Sequence, residues 1–407
     1  MATKWSCNAN EATCLRLAGA PAPCDGVFHP EFTYPIFGEA ETIFGYQGLH
    51  IRLTMASGSL APCLELDYKA KNATTTAKID DVEGTLREYL PDDEDLVPPA
   101  SMEARIQADQ ASFKPLGTLV TTYKRSIPKA RGSQEKEREF AIFHATWDTP
   151  GFRAWHKRAQ IFTLFFIEGA SYIDDEEANW EFYTVFERTQ TQTGEAWHFV
   201  GYTSLYRFWC WPDRTRLRLS QFVILPPYQG QRHGSELYKT VYAKALDDAS
   251  ICEMTVEDPS EAFDHLRDSC DLQFLAQQPD VASHLMMPID RTWSRTARAK
   301  YKLAPRQWAR VLEMLALLRL PDDAASQQAY RLQVKARIYG VNREVLEALP
   351  QEQRLEKLHE TFEAVMDEYA EMTGADVPES LLVLPPPSRK RANSASDQGM
   401  QKTPRLV

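Results

Sequence analysis

The chain has 407 residues and a formal net charge of −11, with 43% apolar and 25% charged residues, which is typical of globular proteins. This length predicts two or three domains, and the acidic balance disfavours direct nucleic-acid binding and favours a basic partner. No apolar run reaches the ~18 residues of a membrane span, and the start of the sequence has no signal-peptide core. The seven scattered cysteines predict reduced thiols in a cytosolic or nuclear protein, and no metal site is predicted.

The N-terminal part of the sequence predicts β-structure. Between residues 25 and 70, Gly and Pro interrupt aromatic stretches, and Ile51 and Leu53 alternate with polar or basic neighbours. The charged segment 124–138 has no apolar periodicity and is predicted to be an exposed loop. We assign residues 1–150 to a β-rich N-terminal domain that serves as a platform for substrate.

A more aromatic part follows. The apolar run 161–167 has the length of a strand and ends before Glu168. Segments 179–188 and 198–209 are rich in aromatic and β-branched residues. They predict an antiparallel hairpin whose strands are separated by the turn-like spacer TQTQTGEA.

The next segment is the most informative of the chain. Alternating apolar residues predict a strand that ends at Pro226 and Pro227, because proline cannot donate to a ladder. A polar loop, 228–233, leads into a helix with apolar residues at i, i+4 spacing. A second apolar strand, 251–258, ends in two acids, and a further helix is predicted for 260–268.

A strand, a polar turn and a helix N-terminus together can hold phosphate, because free N–H groups of the turn and of the first helical turn point at the anion. Here the donors would be the backbone amides of residues 229–235. The turn matches neither the P-loop nor the dinucleotide-binding glycine pattern. A plain connector is the alternative interpretation.

The remainder of the sequence has a helical pattern. Pro305 suits the first turn of a helix, and residues 351–372 predict a long amphipathic helix. We assign residues 276–375 to a small helical C-terminal domain. The Pro-, Ser- and basic-rich segment 376–407 is predicted to be disordered. Its basic residues 389–391 indicate either a nuclear-import signal or a chance basic run.

The segment LPPYQGQRHGSELY resembles the acetyl-coenzyme A (acetyl-CoA) loop of the GNAT acetyltransferases, whose pattern is Gln/Arg-x-x-Gly-x-Gly/Ala. Gln229 and Gly234 match this pattern, and Arg232 replaces the middle glycine. The Arg232 side chain would either crowd the pyrophosphate and disfavour a positive φ, or add a cation beside the phosphates. Gly230 would supply some of the lost flexibility.

Four further segments resemble the type B histone acetyltransferase catalytic subunit family. In chain order they are FHPEFTYPIFGEAETIFGYQGL (28–49), FFIEGASYID (165–174), SQFVILPPYQ (220–229) and TVEDPSEAFDHLRD (255–268). The resemblance implies an α+β fold with a GNAT-type mixed sheet whose two central strands splay apart, with acetyl-CoA wedged between them. It places the catalytic domain at residues 151–275.

The resemblance also implies the residues that hold acetyl-CoA. Its amide-rich arm would add to the strand before Pro226 like a short peptide, and an amide near Phe222 would stabilise the developing oxyanion. Arg267 would lie near the phosphates. The implied cofactor-binding residues are Phe222, Val223, Ile224, Gln229, Gly230, Gln231, Arg232, His233, Gly234, Ser235, Ser260, Phe263 and Arg267.

Acetyl transfer to lysine requires a base, because the substrate ammonium has a pKa of ~10.4 and must lose a proton before it attacks. The resemblance implies Glu257 as this base, with Glu168 and Asp258 as helpers or lysine-binding acids. Glu257 and Asp258 are adjacent, so on a strand they would point to opposite faces unless the turn at Pro259 intervenes.

The same residues also have purely structural interpretations. Glu168 alone would be a solvated acid at a strand end, and residues 257–260 could form a turn with an N-cap for the next helix. His233 is expected to be a solvent-facing turn residue. Cys252 is expected to be a buried strand thiol rather than a nucleophile.

Two functions remain open. The first is an enzyme that uses acetyl-CoA to acetylate lysines on the tail of newly made core histone four, with a WD-repeat histone-binding subunit as partner, in cytoplasm and nucleus. The second is a catalytically weak GNAT-like scaffold that binds histone or an acyl-CoA, damaged at the loop by Arg232. A small-molecule acetyltransferase is a third alternative, disfavoured by the large N-terminal platform. No metal, membrane or nucleic-acid partner is expected.

Overall fold

The computed structural model describes residues 4–73, 77–92, 95–127, 136–192 and 194–382. The chain divides into two units. Of the described residues, those up to 282 and those at 290–311 belong to the first unit, and those at 283–289 and from 312 onwards belong to the second. Within the described residues, no helix combines the length and the apolar character that crossing a membrane requires.

The N-terminal part of the first unit holds short strands and helices. In chain order they are β1 (Ser6–Asn8), α1 (Ala9–Ala12), β2 (Thr13–Ala18), β3 (Val27–Phe28), α2 (Tyr34–Phe37), β4 (Thr42–Phe44), β5 (Tyr46–Gln47), β6 (His50–Ala56), β7 (Pro62–Asp67), β8 (Ala70–Lys71), α3 (Val82–Arg87) and α4 (Met102–Ser112). Four of the strands form a sheet in the order β3-β2-β6-β7. Along β6, Ile51 and Leu53 are buried whereas the intervening Arg52 is exposed, as the alternation predicts. The β-rich N-terminal region is confirmed.

A six-stranded sheet forms the centre of the same unit. Its strands are β9 (Thr118–Ile127), β10 (Lys136–Thr146), β11 (Trp180–Thr191), β12 (Gly194–Cys210), β13 (Arg214–Ile224) and β14 (Ile251–Val256). They lie in chain order, antiparallel except for the parallel pair β13 and β14. The predicted hairpin is confirmed as β11 and β12, although both strands extend into the predicted spacer.

Strands β9 and β10 correct the expectation of an exposed loop at 124–138. Residues 124–127 and 136–138 belong to these strands, and residues 128–135 lie outside the described part of the chain. Charged side chains pair across the two strands here, as Lys124 Nζ does with the Glu137 carboxylate at 2.8 Å. Such a ladder is stabilised by polar cross-strand pairs, so the sequence shows no apolar alternation. The predicted domain boundary at residue 150 falls between neighbouring strands of one sheet.

Two helices follow β10 where a strand was expected. They are α5 (Phe152–Ala159) and α6 (Ile161–Phe166). Residues 161–165 of α6 are all buried, and an apolar run this short has the same pattern in a buried helix as in a buried strand. The strand predicted for 161–167 is therefore wrong, and Glu168 follows a helix.

Buried His156 on α5 predicts a fold that is sensitive to acid. Its ring packs against those of Trp147, Phe182 and Tyr202, and burial lowers its pKa to about 3. The unfolded chain takes up this proton near pH 6.5, whereas the folded chain does not until about pH 3. Stability should therefore fall as the pH decreases from about 6.5 towards 3, by up to about 1.4 kcal/mol per pH unit from this residue.

We expect His156→Phe to flatten the acid side of the stability curve, because it removes a group that only the unfolded state protonates. Stability at pH 7 should change by less than about 1.5 kcal/mol, as for other near-isosteric core replacements. Urea unfolding between pH 4.5 and 7.5 measures both quantities. His265→Gln is the matched control, because His265 is exposed, and it should keep the wild-type slope of stability against pH. A wild-type slope in His156→Phe would contradict a neutral, buried imidazole.

The second half of the central sheet contains a parallel crossover. Helix α7 (His233–Asp247) connects β13 to β14, and α8 (Glu261–Ala276) follows β14. Alternate residues of β13 from Leu217 to Val223 are buried, as are Leu237 and Val241 of α7. The predicted order of strand, loop, helix, strand and helix is confirmed.

The remaining elements are helical, as predicted. They are α9 (Pro279–Ala282), α10 (Arg291–Tyr301), α11 (Pro305–Leu317), α12 (Ala324–Val341), α13 (Arg343–Glu347), α14 (Gln351–Thr373) and α15 (Glu379–Leu382). Inside the second unit the buried Glu313 carboxylate accepts hydrogen bonds from Arg337 at 2.9 Å and from the Tyr369 hydroxyl at 2.8 Å. Helix α15 lies within the segment that was predicted to be disordered, so this prediction is wrong for residues 379–382. Burial of Leu381 stabilises the helix. Residues 383–407, including the basic residues 389–391, lie outside the described part of the chain.

Candidate active site

Strands β13 and β14 diverge in the middle of the sheet. Their ladder runs from Thr215 and Ile251 to Leu219 and Val256, and the Glu257 amide still donates to the Leu219 carbonyl at 2.9 Å. The chain then turns away into α8, so residues 220–224 of β13 continue without β14 beside them. This divergence confirms the predicted splay.

The open edge of β13 presents backbone amides. The Gln221 N–H donates to Ser204 Oγ at 3.1 Å and the Leu225 N–H to the Val200 carbonyl at 3.0 Å, both towards β12. Successive strand residues direct their N–H groups to opposite edges, so those of Phe222 and Ile224 face the opening. The Ile224 carbonyl accepts a hydrogen bond from the Gln229 side chain at 2.9 Å.

A cavity of about 490 Å³, which we call the wedge cavity, occupies this opening. Its lining residues are Glu31, Phe166, Phe222, Val223, Ile224, Tyr228, Gln229, Gly230, Arg232, His233, Gly234, Ser235, Ser260, Ala262, Phe263 and Leu266. It contains every residue predicted to bind acetyl-CoA except Gln231 and Arg267. Free strand amides beside a helix N-terminus suit a ligand that carries both amides and phosphates.

The loop before α7 has the geometry of an anion site. Gly230 and Arg232 both adopt left-handed backbone conformations, with φ of 73° and 64°. Arg232 is the N-cap of α7, where no side chain makes a capping hydrogen bond. The first N–H groups of a helix have no partner within it, so those of residues 233–235 are available to an anion. A Cβ on Gly234 would lie 2.7 Å from Leu266 Cδ1, so glycine permits the close packing of α7 on α8.

His233 corrects the expectation of a solvent-facing turn residue. It is buried, its Nδ1 lies 2.8 Å from the Tyr123 hydroxyl, and its ring packs 4.3 Å from that of Phe140. Burial, reinforced by the positive charges of Arg125 and Arg138, lowers the pKa of His233 to about 3. The hydrogen bond between the neutral imidazole and the Tyr123 hydroxyl ties the start of α7 to β9.

Further contacts from β9 and β10 hold the same loop. Arg125 Nε donates to the Gln231 carbonyl at 3.3 Å, and its guanidinium pairs with Glu236 of α7 at 2.7 Å. Beneath the loop, the guanidinium of buried Arg138 makes two hydrogen bonds to the Glu187 carboxylate. The Tyr228 hydroxyl donates to the same carboxylate at 3.3 Å. Strands of the N-terminal sequence therefore support the predicted cofactor loop.

The three predicted acids lie together in a second region. Glu168, Glu257 and Asp258 line two adjoining cavities, which we call the acid groove. Asp258 has a φ of 32°, so the chain turns at this point and both neighbouring acids face the groove. Glu168 reaches the groove from the end of a helix, not from the strand end that was expected.

Glu257 is fixed at the floor of the acid groove. The Ser220 hydroxyl donates to Glu257 Oε2 at 2.5 Å, and an Arg218 guanidinium nitrogen lies 3.5 Å from Oε1. Its side chain is 43% exposed, so the carboxylate is both held in place and accessible to a substrate. The Ser260 hydroxyl accepts from the Phe263 N–H at 3.3 Å, which confirms the capping role for Ser260 at the start of α8.

The wedge cavity and the acid groove are continuous. Phe222, Ser260 and Phe263 line the wedge cavity and also one of the two cavities that form the acid groove. The rings of Phe222 and Phe263 pack edge to face with centroids 4.9 Å apart. A group bound against the amides of β13 would therefore lie beside the cavity that the carboxylates line.

Two predicted residues lie outside the wedge cavity. Gln231 donates from its side chain to the Pro227 carbonyl at 3.2 Å. Arg267 is buried, with its Nε 3.8 Å from the Asp271 carboxylate. Cys252 is half-buried on β14, and burial raises the pKa of its thiol.

Sequence reasoning missed several residues of the site. Ser220, Glu31 and Phe166 line its cavities but carried no assigned role. A signal was present, because all three residues lie within segments that resemble the family. Among the described residues, no cluster of three or more His, Cys, Asp or Glu side chains is arranged to hold a metal ion.

Comparisons with known proteins cover most of the chain. Residues 5–168 match the N-terminus of histone acetyltransferase HAT1, residues 143–265 the GNAT acetyltransferase family, and residues 268–320 the C-terminal region of fungal HAT1.

Similar proteins from fungi and a mammal share one description, histone acetyltransferase type B catalytic subunit. That of Mycosarcoma maydis is 49% identical and covers 94% of this chain and 91% of its own. That of Cryptococcus neoformans is 41% identical, with 91% and 98% covered, and that of Rattus norvegicus is 34% identical, with 82% and 80% covered. From the splayed sheet and these similarities, we conclude that the chain belongs to the family of type B histone acetyltransferase catalytic subunits and is a GNAT-type acetyltransferase.

Proposed function

We propose that this enzyme transfers acetyl from acetyl-CoA to lysine side chains on the N-terminal tail of newly synthesised core histone four, by direct attack with Glu257 as general base. The observation that carries the proposal is the continuity of the acid groove with the wedge cavity at Phe222, Ser260 and Phe263. The open edge of β13, which suits acetyl-CoA, lies there beside the carboxylates of the acid groove, which suit an ammonium group.

The chain's own residues would perform three tasks. The β13 edge and the 229–235 loop would bind acetyl-CoA, which supplies the thioester. The Glu257 carboxylate, held by Ser220, would accept the proton of the substrate ammonium, either directly or through water. An N–H of the open edge near Phe222 would stabilise the oxyanion as the C–N bond forms and the C–S bond breaks. The thiol of CoA is the leaving group.

The acid groove also supports a basic peptide as substrate. Beyond the three acids, its lining includes Asp174 and Glu177, and the whole chain has a net charge of −11. Opposite charge steers a lysine-rich tail towards such a groove. The histone substrate is supported by the description of the relatives. The family resemblance supports a WD-repeat histone-binding partner and activity in cytoplasm and nucleus.

Calorimetry with acetyl-CoA, followed by acetylation of a histone-four tail peptide, tests the proposal. We expect binding, and mass spectrometry should locate acetyl groups on tail lysines. An equally basic tail peptide of another core histone is the matched control and should be used at least tenfold less efficiently by kcat/KM. Binding without turnover would favour the scaffold alternative, and equal use of both peptides would overturn the preference for histone four.

A further inference from the structure

Arg232 is the permanent positive charge of the wedge cavity. Among the described residues that line this cavity, it is the one Lys or Arg, and Glu31 is the one acid. His233 is buried, and its ring is hydrogen-bonded to the Tyr123 hydroxyl. The Arg232 side chain is exposed and forms no ion pair with any described residue, so its charge is available to a ligand.

Acetyl-CoA needs such a charge at this place. It carries a pyrophosphate and a ribose phosphate, each anionic at neutral pH. A helix N-terminus offers only about half a positive charge. A guanidinium adds a full charge and a planar pair of donors that matches two phosphate oxygens. The α7 N-terminus together with Arg232 therefore offers more positive charge to the phosphates than the backbone amides alone.

The backbone conformation at Arg232 is costly for a residue other than glycine. A φ of 64° places it in the left-handed region, which glycine adopts freely and other residues adopt at a cost in stability. The exposed side chain is not packed in a core that would repay this cost. The GNAT pattern has glycine at this position, so the arginine destabilises the free protein slightly and a benefit is expected elsewhere.

We propose that the Arg232 guanidinium binds a phosphate group of acetyl-CoA. In the GNAT pattern, glycine at this position lets the pyrophosphate approach the backbone closely, and here a charge–charge contact takes the place of that approach. The inference rests on the proposed acetyl-CoA site. It makes the affinity of this enzyme for acetyl-CoA dependent on the phosphates and on ionic strength. S-acetylpantetheine, which lacks the pyrophosphate and the ribose phosphate, should bind without any help from Arg232.

Titration calorimetry on the full chain tests this with four variants. Arg232→Gln removes the charge, Arg232→Lys keeps it, and Arg232→Gly removes both the side chain and its backbone cost. Lys239→Gln is the matched control, because it removes an exposed positive charge from the same helix outside the wedge cavity. The probes are CoA, dephospho-CoA, which lacks the ribose phosphate, and S-acetylpantetheine.

We expect Arg232→Gln and Arg232→Gly to weaken CoA binding about tenfold, as for a lost charged hydrogen bond at an exposed site. Binding of S-acetylpantetheine should not change, and Arg232→Lys and Lys239→Gln should stay within about threefold of wild type. Arg232→Gly should also raise the melting temperature of the free protein. The Kd of the wild type should rise more steeply with salt than that of Arg232→Gln.

Dephospho-CoA identifies the phosphate involved. If Arg232 contacts the ribose phosphate, Arg232→Gln will bind CoA and dephospho-CoA almost equally. If it contacts the pyrophosphate, the variant will lose affinity for both by the same factor. Wild-type affinity for CoA in both Arg232→Gln and Arg232→Gly overturns the inference. Absence of CoA binding by the wild type would instead overturn the proposed function.

Discussion

Replacing Glu257 with glutamine should lower kcat by about 100-fold or more, because general-base catalysis typically contributes about 10²- to 10⁴-fold. Glutamine keeps the size of the side chain and can still accept the Ser220 hydrogen bond, but it cannot take a proton from the substrate ammonium. The KM for acetyl-CoA should change little, since Glu257 does not line the wedge cavity. Steady-state kinetics with the histone-four peptide measure both quantities.

The pH dependence gives a second readout of the same variant. Lysine has a pKa of about 10.4, so its neutral fraction rises about tenfold for each pH unit below that value. A variant without the base depends on this fraction more strongly than the wild type does. We expect the ratio of wild-type to variant kcat to shrink between about pH 7 and 9.5, a change that mere misfolding would not produce.

Glu261→Gln is the matched control for this experiment. Glu261 is an exposed acid four residues further along, in the first turn of α8, and it lies outside both the wedge cavity and the acid groove. Its kcat should stay within about twofold of wild type. A near-normal rate in Glu257→Gln would remove Glu257 from the role of base, and Glu168→Gln and Asp258→Asn would then be the variants to compare.

Replacing Glu187 with glutamine should destabilise the first unit by about 3–5 kcal/mol, the usual cost of leaving a buried charge without its partner. The side chains of Arg138 and Glu187 are only 7% and 1% exposed. Glutamine leaves the buried charge of the Arg138 guanidinium without the carboxylate that neutralises it. Urea unfolding followed by tryptophan fluorescence measures the loss. The affinity for acetyl-CoA should fall with it, because Tyr228 of the wedge cavity would keep only a neutral amide as its acceptor in place of a carboxylate.

Two comparisons separate charge burial from a general effect of mutation. The exposed pair of Lys124 and Glu137 has side chains about 60% exposed, so Glu137→Gln should change stability by less than about 1 kcal/mol. The double variant Arg138→Met, Glu187→Leu removes both charges and should recover much of the loss, since apolar replacements of buried pairs are often neutral. A wild-type urea midpoint for Glu187→Gln would mean that the Arg138 guanidinium is solvated in the variant, and it would contradict the expected loss.

The sequence predicts local structure around the site well. The proline pair, the apolar alternation before it and the i, i+4 pattern after it are signals within one short segment, and they place β13, the 229–235 loop and α7 correctly. The position of the acids at 257–258 is predicted in the same way, because they come at the end of the next apolar strand. These features depend on neighbours in sequence, so a single chain is enough to show them.

Features that depend on distant contacts could not be predicted in this way. Burial of His233 depends on Tyr123 and Phe140, which lie about a hundred residues earlier. The helix at 161–166 depends on burial from all sides, which hides its period. The strands around residues 124 and 137 are stabilised by polar pairs and have no apolar signature.

The support that β9 and β10 give to the cofactor loop limits how a minimal enzyme can be made. A truncated protein that begins at residue 151 would lose Tyr123 and Arg125, and with them the hydrogen bonds that hold His233 and the Gln231 carbonyl. It would also uncover the edge of β11 from Glu181 to Arg188, which β10 pairs with, and a bare strand edge recruits other chains into aggregates. A soluble, active fragment must therefore start before Thr118, well upstream of the segment that matches the acetyltransferase family.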